Sequence, residues 1–279
     1  MKWMRFLILC FSITVHVYAQ NIEQTKALMQ QAYAAGNYSY CTELGERIIY
    51  FDTTYKHTAI CHLFTGDSYF RQQDYANAAS HFEMAAQLTT DDSVRTESLF
   101  GTGLSYMLMN DYSTALISLL DIYSNNNETI EKRKLLYTGV AYYYLNDFEK
   151  SQSYLNQFAN MVHMHQDTIA QLMSITHKKT KRYKPGKAYT LSLLLPGMGQ
   201  FYSGDIKNGI NALLLVAGLT YLGYNVWINA GVVDAIISVA PWLQRYYYGN
   251  AEKARAIAAN RLQLEKNTIM RNFLAKSLQ

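Results

Sequence analysis

The stretch Leu191-Ser-Leu-Leu-Leu-Pro196-Gly197-Met-Gly199-Gln200-Phe201-Tyr202-Ser-Gly204 divides the chain into two parts of different character. Its apolar run stops at Pro196, which cannot donate a backbone hydrogen bond, and the glycines that follow permit turns that other side chains forbid. The pattern therefore predicts that one helix ends here and that another begins near Lys207. The sequence before this stretch is typical of a soluble helical repeat, and the sequence after it is typical of a membrane-seeking hairpin.

Apolar residues dominate from Gly209 to Leu243. A helix that spans a membrane needs about 20 apolar residues, so this run fits one long helix or two short helices that turn between Tyr224 and Gly231. We favour the hairpin, with arms of about 14 to 17 residues that are short for the hydrocarbon core. Asp234 falls in the second arm, where we expect it to cap a helix or to face the membrane interface.

Residues suited to a membrane–water interface flank the apolar run. Trp and Tyr combine apolar rings with polar tips, and Lys and Arg pair with lipid phosphates. The predicted interfacial residues are Lys178, Lys179, Lys181, Arg182, Lys184, Lys187, Trp242, Arg245, Tyr246 and Tyr247. A solvated linker without a partner is the alternative interpretation of the basic block.

The amino terminus is typical of a secretory signal peptide. Residues 1–19 combine a charged start, an apolar segment and a small-residue end at Ala19, which predicts cleavage before Gln20. The net charge of +4 conceals an asymmetry, because residues 20–176 carry 9 basic and 17 acidic side chains whereas residues 177–279 carry 14 and 4. We expect an exported protein whose basic part contacts membrane lipid, and export makes nucleic acid a poor partner.

A repeat of about 37 residues precedes the dividing stretch. Asn37-Tyr38, Asp74-Tyr75, Asp111-Tyr112 and Asp147-Phe148 recur at spacings of 37, 37 and 36 residues. Each aromatic is accompanied at fixed offsets by a glycine, a tyrosine and a small residue. The repeated positions are Gly66, Tyr69, Tyr75, Ala78, Gly103, Tyr106, Tyr112, Ala115, Gly139, Tyr142 and Phe148. The first unit departs from this pattern, with Met29 in the glycine position and Cys41 in the small position.

These repeated positions resemble those of the tetratricopeptide repeat (TPR). The resemblance implies about four antiparallel helical pairs that stack into a curved solenoid, whose concave face binds a peptide or protein partner. The dividing motif (Pro196, Gly197, Gly199, Gln200, Phe201, Tyr202, Gly204) and the later Arg245-Tyr-Tyr-x-Gly249-Asn250 resemble a two-helix membrane domain of unknown function found in bacterial envelope proteins. That second resemblance covers about residues 186–260 and implies a location rather than a reaction.

Candidate chemical sites are few. Cys41 and Cys61 could form a disulfide in an exported protein, but Cys41 occupies a position held elsewhere by Ala or Ser, so we favour buried thiols. His163 and His165 stand two residues apart on a predicted helix and point in different directions, which disfavours a metal site. We expect no cofactor, no metal and no catalytic motif.

The sequence therefore predicts an all-α protein. Its predicted segments are a signal peptide (1–19), a TPR-like repeat domain (20–176), a basic linker (177–187), a membrane-associated helical hairpin (188–250) and an amphipathic helical tail (251–279). We expect a non-catalytic scaffold that holds a protein partner at the periplasmic side of the inner membrane. The alternatives are a receptor for an exported peptide or envelope polymer, and an enzyme or transporter component with a site around Gln200, Asp234 and Arg245.

Overall fold

A computed structural model of the chain describes residues 22–53, 56–165 and 167–277. The regular structure in these ranges is α-helical, so the prediction of an all-α protein is confirmed. The chain divides into two compact units, one that ends at His163 and one that begins at Met164. The predicted signal peptide lies outside the described residues.

The helices of the N-terminal unit pack in consecutive pairs, as the repeat predicts. They are α1 (Ile22–Ala34), α2 (Tyr38–Phe51), α3 (Thr58–Arg71), α4 (Tyr75–Leu88), α5 (Asp92–Leu108), α6 (Tyr112–Leu120), α7 (Glu128–Tyr144) and α8 (Phe148–Met161). Each odd-numbered helix is the first member of a pair, and the even-numbered helix that follows is the second.

Every pair is closed by the same turn. The second helices begin at side-chain caps that accept a hydrogen bond from the backbone N–H three residues later, and these caps are Asn37, Asp74, Asp111 and Asp147. The residue before each cap adopts the left-handed conformation, with φ of 74° at Gly36 and 65° at Gln73. A left-handed residue ends one helix and a polar cap begins the next. The periodic Asn/Asp-aromatic signal therefore marks a local turn.

Small and bulky residues meet where the helices of a pair cross. A Cβ atom added at Gly103 would lie 2.8 Å from Leu119 Cγ, and one at Gly139 would lie 2.8 Å from Leu155. Gly66 faces the ring of Phe82 in the same way. In the first pair the order is reversed. The bulky residue, Met29, stands in the first helix, α1, and the small residue, Gly45, stands opposite it in the second helix, α2. The departure of the first unit thus preserves the fit between its helices.

The C-terminal unit is also helical within the described residues. Its helices are α9 (Asp167–Arg182), α10 (Pro185–Leu194), α11 (Met198–Tyr202), α12 (Ile206–Ala230), α13 (Val232–Ser238) and α14 (Ala240–Ser277). The residues predicted as a basic linker, 177–187, lie mostly in α9 and α10. Pro185 takes the first position of α10, where its missing N–H costs nothing. Ile169, Leu172 and Thr176 of α9 are buried at helical spacing.

Helix α12 is long and apolar enough to cross a membrane, and most of its surface is exposed. The sequence predicts a turn between residues 224 and 231, but the helix continues to Ala230, so the prediction is wrong for most of that range. Asn225 and Asn229 do not break it, since each amide donates to a backbone carbonyl one turn earlier. The chain turns at Gly231, whose φ is 105°. The first arm is therefore 25 residues long, and the second consists of α13 and the start of α14.

Candidate functional site

A groove of about 360 Å³ runs along the N-terminal unit. Side chains from α1, α3, α5 and α7, the first helices of the four pairs, line it together with Phe82 of α4. Leu63, Phe64, Phe70 and Leu104 give it apolar walls.

A missing aromatic residue deepens the middle of this groove. The position eleven residues before the aromatic that follows each cap holds Phe64 in the second pair and Tyr137 in the fourth, whereas it holds Ala27 in the first and Gly101 in the third. A Cβ atom at Gly101 would lie 2.6 Å from the ring of Phe82, so the ring occupies the space that a side chain would need. Phe82 therefore forms a floor where the neighbouring repeats have a wall.

One polar cluster lies at the end of the groove formed by α1 and α3. Asp67 accepts hydrogen bonds from the hydroxyl of Tyr33 and from Arg71 Nε, the latter at 3.3 Å. Burial raises the pKa of Tyr33 to about 12, and the hydrogen bond to Asp67 adds to this effect. Tyr33 is therefore a fixed donor, and the side chain of Arg71 remains 54% exposed.

A second polar cluster lies between α5 and α7. Arg133 donates to both carboxylate oxygens of Glu97 at 2.6 and 3.1 Å, and its guanidinium lies 4.0 Å from the ring centre of Phe100. A planar ion pair held against an aromatic ring is a rigid arrangement. The groove thus offers apolar walls with acceptors and donors at fixed positions, which suits a polypeptide segment.

A buried histidine pair joins the second helical pair to α2. The Nδ1 atoms of His62 and His81 are 2.9 Å apart, and His81 Nε2 lies 2.9 Å from Glu46 Oε1. Burial, together with a smaller effect of the neighbouring His81, lowers the pKa of His62 to about 4. Burial also lowers the pKa of His81, against the attraction of Glu46. The sequence gives no periodic signal for this contact, because the two histidines occupy different repeat positions.

The other candidate residues of this unit are separate from the groove. Cys41 and Cys61 are free, buried thiols in one apolar cluster, and burial raises the pKa of Cys61 to about 12, which keeps it unreactive. His163 and His165 stand between α8 and α9 rather than on a helix as predicted. Within the described residues, no group of three or more His, Cys, Asp or Glu side chains is placed to hold a metal ion.

In the C-terminal unit the two sequence motifs meet through a chain of hydrogen bonds. Gly199 N–H donates to Ser192 Oγ at 3.0 Å, and Ser192 Oγ donates to Gln200 Oε1 at 2.9 Å. Gln200 Nε2 then donates to the side-chain Oδ1 of Asn250 and to its backbone carbonyl. We refer to Ser192, Gln200 and Asn250 as the amide clasp. All three are buried, and the clasp joins α10, α11 and α14.

The glycines of the dividing motif allow the backbones to approach closely. Gly197 has a φ of 93°, and a Cβ atom there would lie 2.4 Å from the carbonyl oxygen of Gly209. A Cβ atom at Gly199 would lie 2.0 Å from the carbonyl oxygen of Ala188. The ring of Phe201 packs on Gly209, which leaves no room for a side chain there. These contacts explain why small residues stand at these positions.

One tyrosine of each motif binds backbone groups through its hydroxyl. The hydroxyl of Tyr202 donates to the carbonyl of Arg182 and accepts from Lys184 N–H at 3.1 Å. The hydroxyl of Tyr247 donates to the carbonyl of Leu193. Tyr247, predicted at the membrane interface, is therefore turned partly inward.

Most predicted interfacial residues are exposed. The exposed members are Lys178, Lys181, Arg182, Lys184, Lys187, Trp242, Arg245 and Tyr246. Lys179 differs, because its ammonium group pairs with Glu265 of α14 at 2.8 Å. That pair holds α9 against α14 inside the unit.

The three residues of the predicted enzyme or transporter site do not form a bonded group. Gln200 belongs to the amide clasp, whereas Asp234 is exposed in the first turn of α13 and Arg245 is exposed on α14. The cap of α13 is Gly231, so Asp234 is not its capping residue. In the described part of the chain, no hydrogen bond or ion pair joins any two of the three.

Compared with known proteins, the chain matches no protein-family model and no curated protein.

Proposed function

We propose that this protein is a non-catalytic scaffold of the bacterial envelope, anchored in a membrane by its C-terminal unit and holding a segment of a partner protein in the groove of its N-terminal unit. The signal-peptide pattern of residues 1–19 supports export, with the N-terminal unit in the periplasm and the anchor in the inner membrane.

The helical pairs support assignment to the TPR class. Their period, their capped turns and the glycine-to-bulky contacts at their crossings recur in successive pairs. Stacked pairs of this kind present the first helix of each pair on one continuous face.

The groove is the observation that carries the proposal. It combines apolar walls with the Asp67–Arg71 and Glu97–Arg133 pairs, whose four side chains line the groove and are partly exposed. A bound segment would cover Phe64 and Leu104 while its polar groups meet the ion pairs.

Helix α12 and the turn that follows support membrane anchoring. The helix holds 25 residues, about 37 Å of length, which exceeds the hydrocarbon thickness of about 30 Å. Exposed apolar and aromatic side chains continue through α13 to Trp242, so the second arm carries the same surface.

Site-specific photo-crosslinking in intact cells tests the groove. A photoreactive residue in place of Leu63, which lines the groove, should capture a discrete protein partner, whereas one in place of the exposed Ile117 of α6 should not. The charge reversal Arg71→Glu should weaken that capture, and Lys132→Glu should not, because Lys132 pairs with Glu128 away from the groove. Equal capture from both positions would overturn the proposal. Capture of a non-protein polymer from the groove would favour the receptor alternative.

A further inference from the structure

We propose that a second cavity, between α12 and α14, binds the headgroup phosphate of one anionic glycerophospholipid and holds the start of its acyl chain. The cavity has a volume of about 310 Å³ and lies within the C-terminal unit. The inference rests on the proposed membrane anchoring of that unit.

One end of the cavity is polar and cationic. Lys253 Nζ donates to Asn208 Oδ1 at 2.7 Å, which leaves its other protons for a ligand. Asp205 fixes the orientation of Asn208, because its carboxylate accepts both the backbone N–H and the side-chain Nδ2 of that residue, at 3.0 and 2.7 Å. Each oxygen of the carboxylate thus accepts one hydrogen bond from Asn208, and the ammonium group is bound by a neutral amide oxygen, while Asp205 acts on Lys253 only through its charge.

An unused hydrogen-bond donor lies in the wall beside this end. Asn250 is about nine-tenths buried and lines the cavity. The amide clasp fixes its side chain, since Oδ1 accepts from Gln200 Nε2. Its Nδ2 is buried and has no acceptor among the described residues. A buried donor beside an ammonium group suits an anionic oxygen, and phosphate supplies several.

The other end of the cavity is apolar and lies deeper along the proposed membrane helix. Leu215 and Val216 stand seven and eight positions after Asn208, about 10 to 12 Å along α12. Tyr246 lines the cavity from α14, seven positions before Lys253. A charged head and an apolar body in this order match a lipid that enters from its own leaflet. A small soluble anion would contact only the polar end of the cavity and would leave the apolar end empty.

Native mass spectrometry of the full-length, detergent-purified protein tests the site with dioleoylphosphatidylglycerol, dioleoylphosphatidylcholine and glycerol 3-phosphate as probes. The wild-type protein should retain one phosphatidylglycerol and bind phosphatidylcholine less strongly. Gly249→Leu should abolish retention, because a side chain there enters open space within the cavity and clashes with nothing within 4 Å. Lys253→Gln should weaken binding about tenfold, the usual effect of losing one charge-assisted hydrogen bond.

Matched variants separate the site from general membrane affinity. Gly218→Leu on α12 also enters open space, and Lys207→Gln removes a charge at the same end of α12, but neither residue lines the cavity. Both should retain the lipid. Equal retention by all variants, or equally strong binding of glycerol 3-phosphate, would overturn the lipid site.

Flotation with vesicles of both lipids tests the anchoring itself. Failure of the wild-type protein to float would overturn the anchoring, whereas flotation without selective retention would overturn the lipid site alone.

Discussion

Single glycines decide how closely the helices of a pair can approach. Gly103 and Gly139 face a bulky side chain of the partner helix at a distance that leaves no space for a methyl group, and Gly66 faces Phe82 in a contact that is only slightly looser. The bulky partners Phe82, Leu119 and Leu155 are buried. Because this fit is specific to each crossing, a larger residue must displace either the side chain or the helix.

The substitution Gly103→Leu should therefore destabilise the N-terminal unit by about 1–3 kcal/mol, the typical cost of overpacking a core. The control is Gly249→Leu, where the added side chain meets nothing within 4 Å. That variant should melt at or slightly above the wild-type temperature, because Leu favours a helix more than Gly does. Thermal unfolding followed by circular dichroism compares the two, and equal melting temperatures would contradict the assigned role of Gly103.

The histidine pair should make the N-terminal unit sensitive to acid. The pKa of His62 falls from 6.5 to about 4 in the folded protein, mainly through burial, so the unfolded chain takes up a proton that the folded chain excludes. The stability that neutral His62 contributes is complete above about pH 6.5 and is lost as the pH falls through about 4. The loss should be on the order of 2 kcal/mol. Urea denaturation between pH 7 and pH 4 measures it, and His62→Gln should show a shallower dependence than the wild-type protein.

At the scale of secondary-structure elements, the turn between paired helices is the most regular feature of the N-terminal unit. It recurs once in the C-terminal unit, where Gly204 has a φ of 83° and Asp205 caps α12 through Asn208 N–H. Glycine or asparagine occupies the left-handed position in these turns, except in the second pair, where Gln73 adopts a φ of 65°.

Replacing Gln73 by glycine should stabilise the N-terminal unit by about 1 kcal/mol, because a left-handed conformation costs a residue with a Cβ atom about that much. The neighbouring substitution Gln72→Gly is the control, since Gln72 has an ordinary φ of −81° and should only lose stability. Chemical denaturation of both variants measures the difference. A destabilised Gln73→Gly variant would contradict this explanation.

The elements that the sequence predicts well are those marked by local chemistry. An Asn or Asp before an aromatic residue predicts each turn, and Pro196 alone predicts where the helix before it ends. Local sequence patterns do not predict the groove or the clasp. Gly101 shapes the groove through its contact with Phe82, and Gln200 forms the clasp with Asn250, which lies 50 positions away. The basic block 177–187 is predicted as a linker from its composition, whereas the pairing of Lys179 with Glu265, 86 positions later, is a contact that no local pattern reveals.

At the scale of the whole molecule, the chain divides into two compact units. The division at His163 lies earlier than the predicted end of the repeat domain at residue 176, because α9 buries Ile169 and Leu172 within the C-terminal unit. A fragment of residues 20–163 should therefore be soluble, helical and as stable as a fragment of residues 20–176. Circular dichroism and thermal melts of the two fragments test this, and a clear gain in stability from residues 164–176 would contradict the division.

The hairpin proposal predicts that both flanks of the membrane segment lie on the same side. Cysteine at Ser174 and at Ser277 should react with a membrane-impermeant thiol reagent in spheroplasts, in a protein whose native thiols are replaced. Ser174 is exposed on α9 and Ser277 ends α14. Labelling at Ser174→Cys alone would indicate a single crossing by α12 and would place the tail in the cytoplasm.

The amide clasp also fixes an order of events during biosynthesis. Gln200 leaves the ribosome 50 residues before Asn250, and the whole of α12 lies between them. Until Asn250 emerges, the Gln200 amide nitrogen lacks its two acceptors, so the clasp cannot form. A nascent chain stopped before residue 250 is therefore recognisable as unfinished. The difference is chemical, because such a chain leaves the Gln200 amide without its acceptors beside an apolar helix and the completed chain satisfies it.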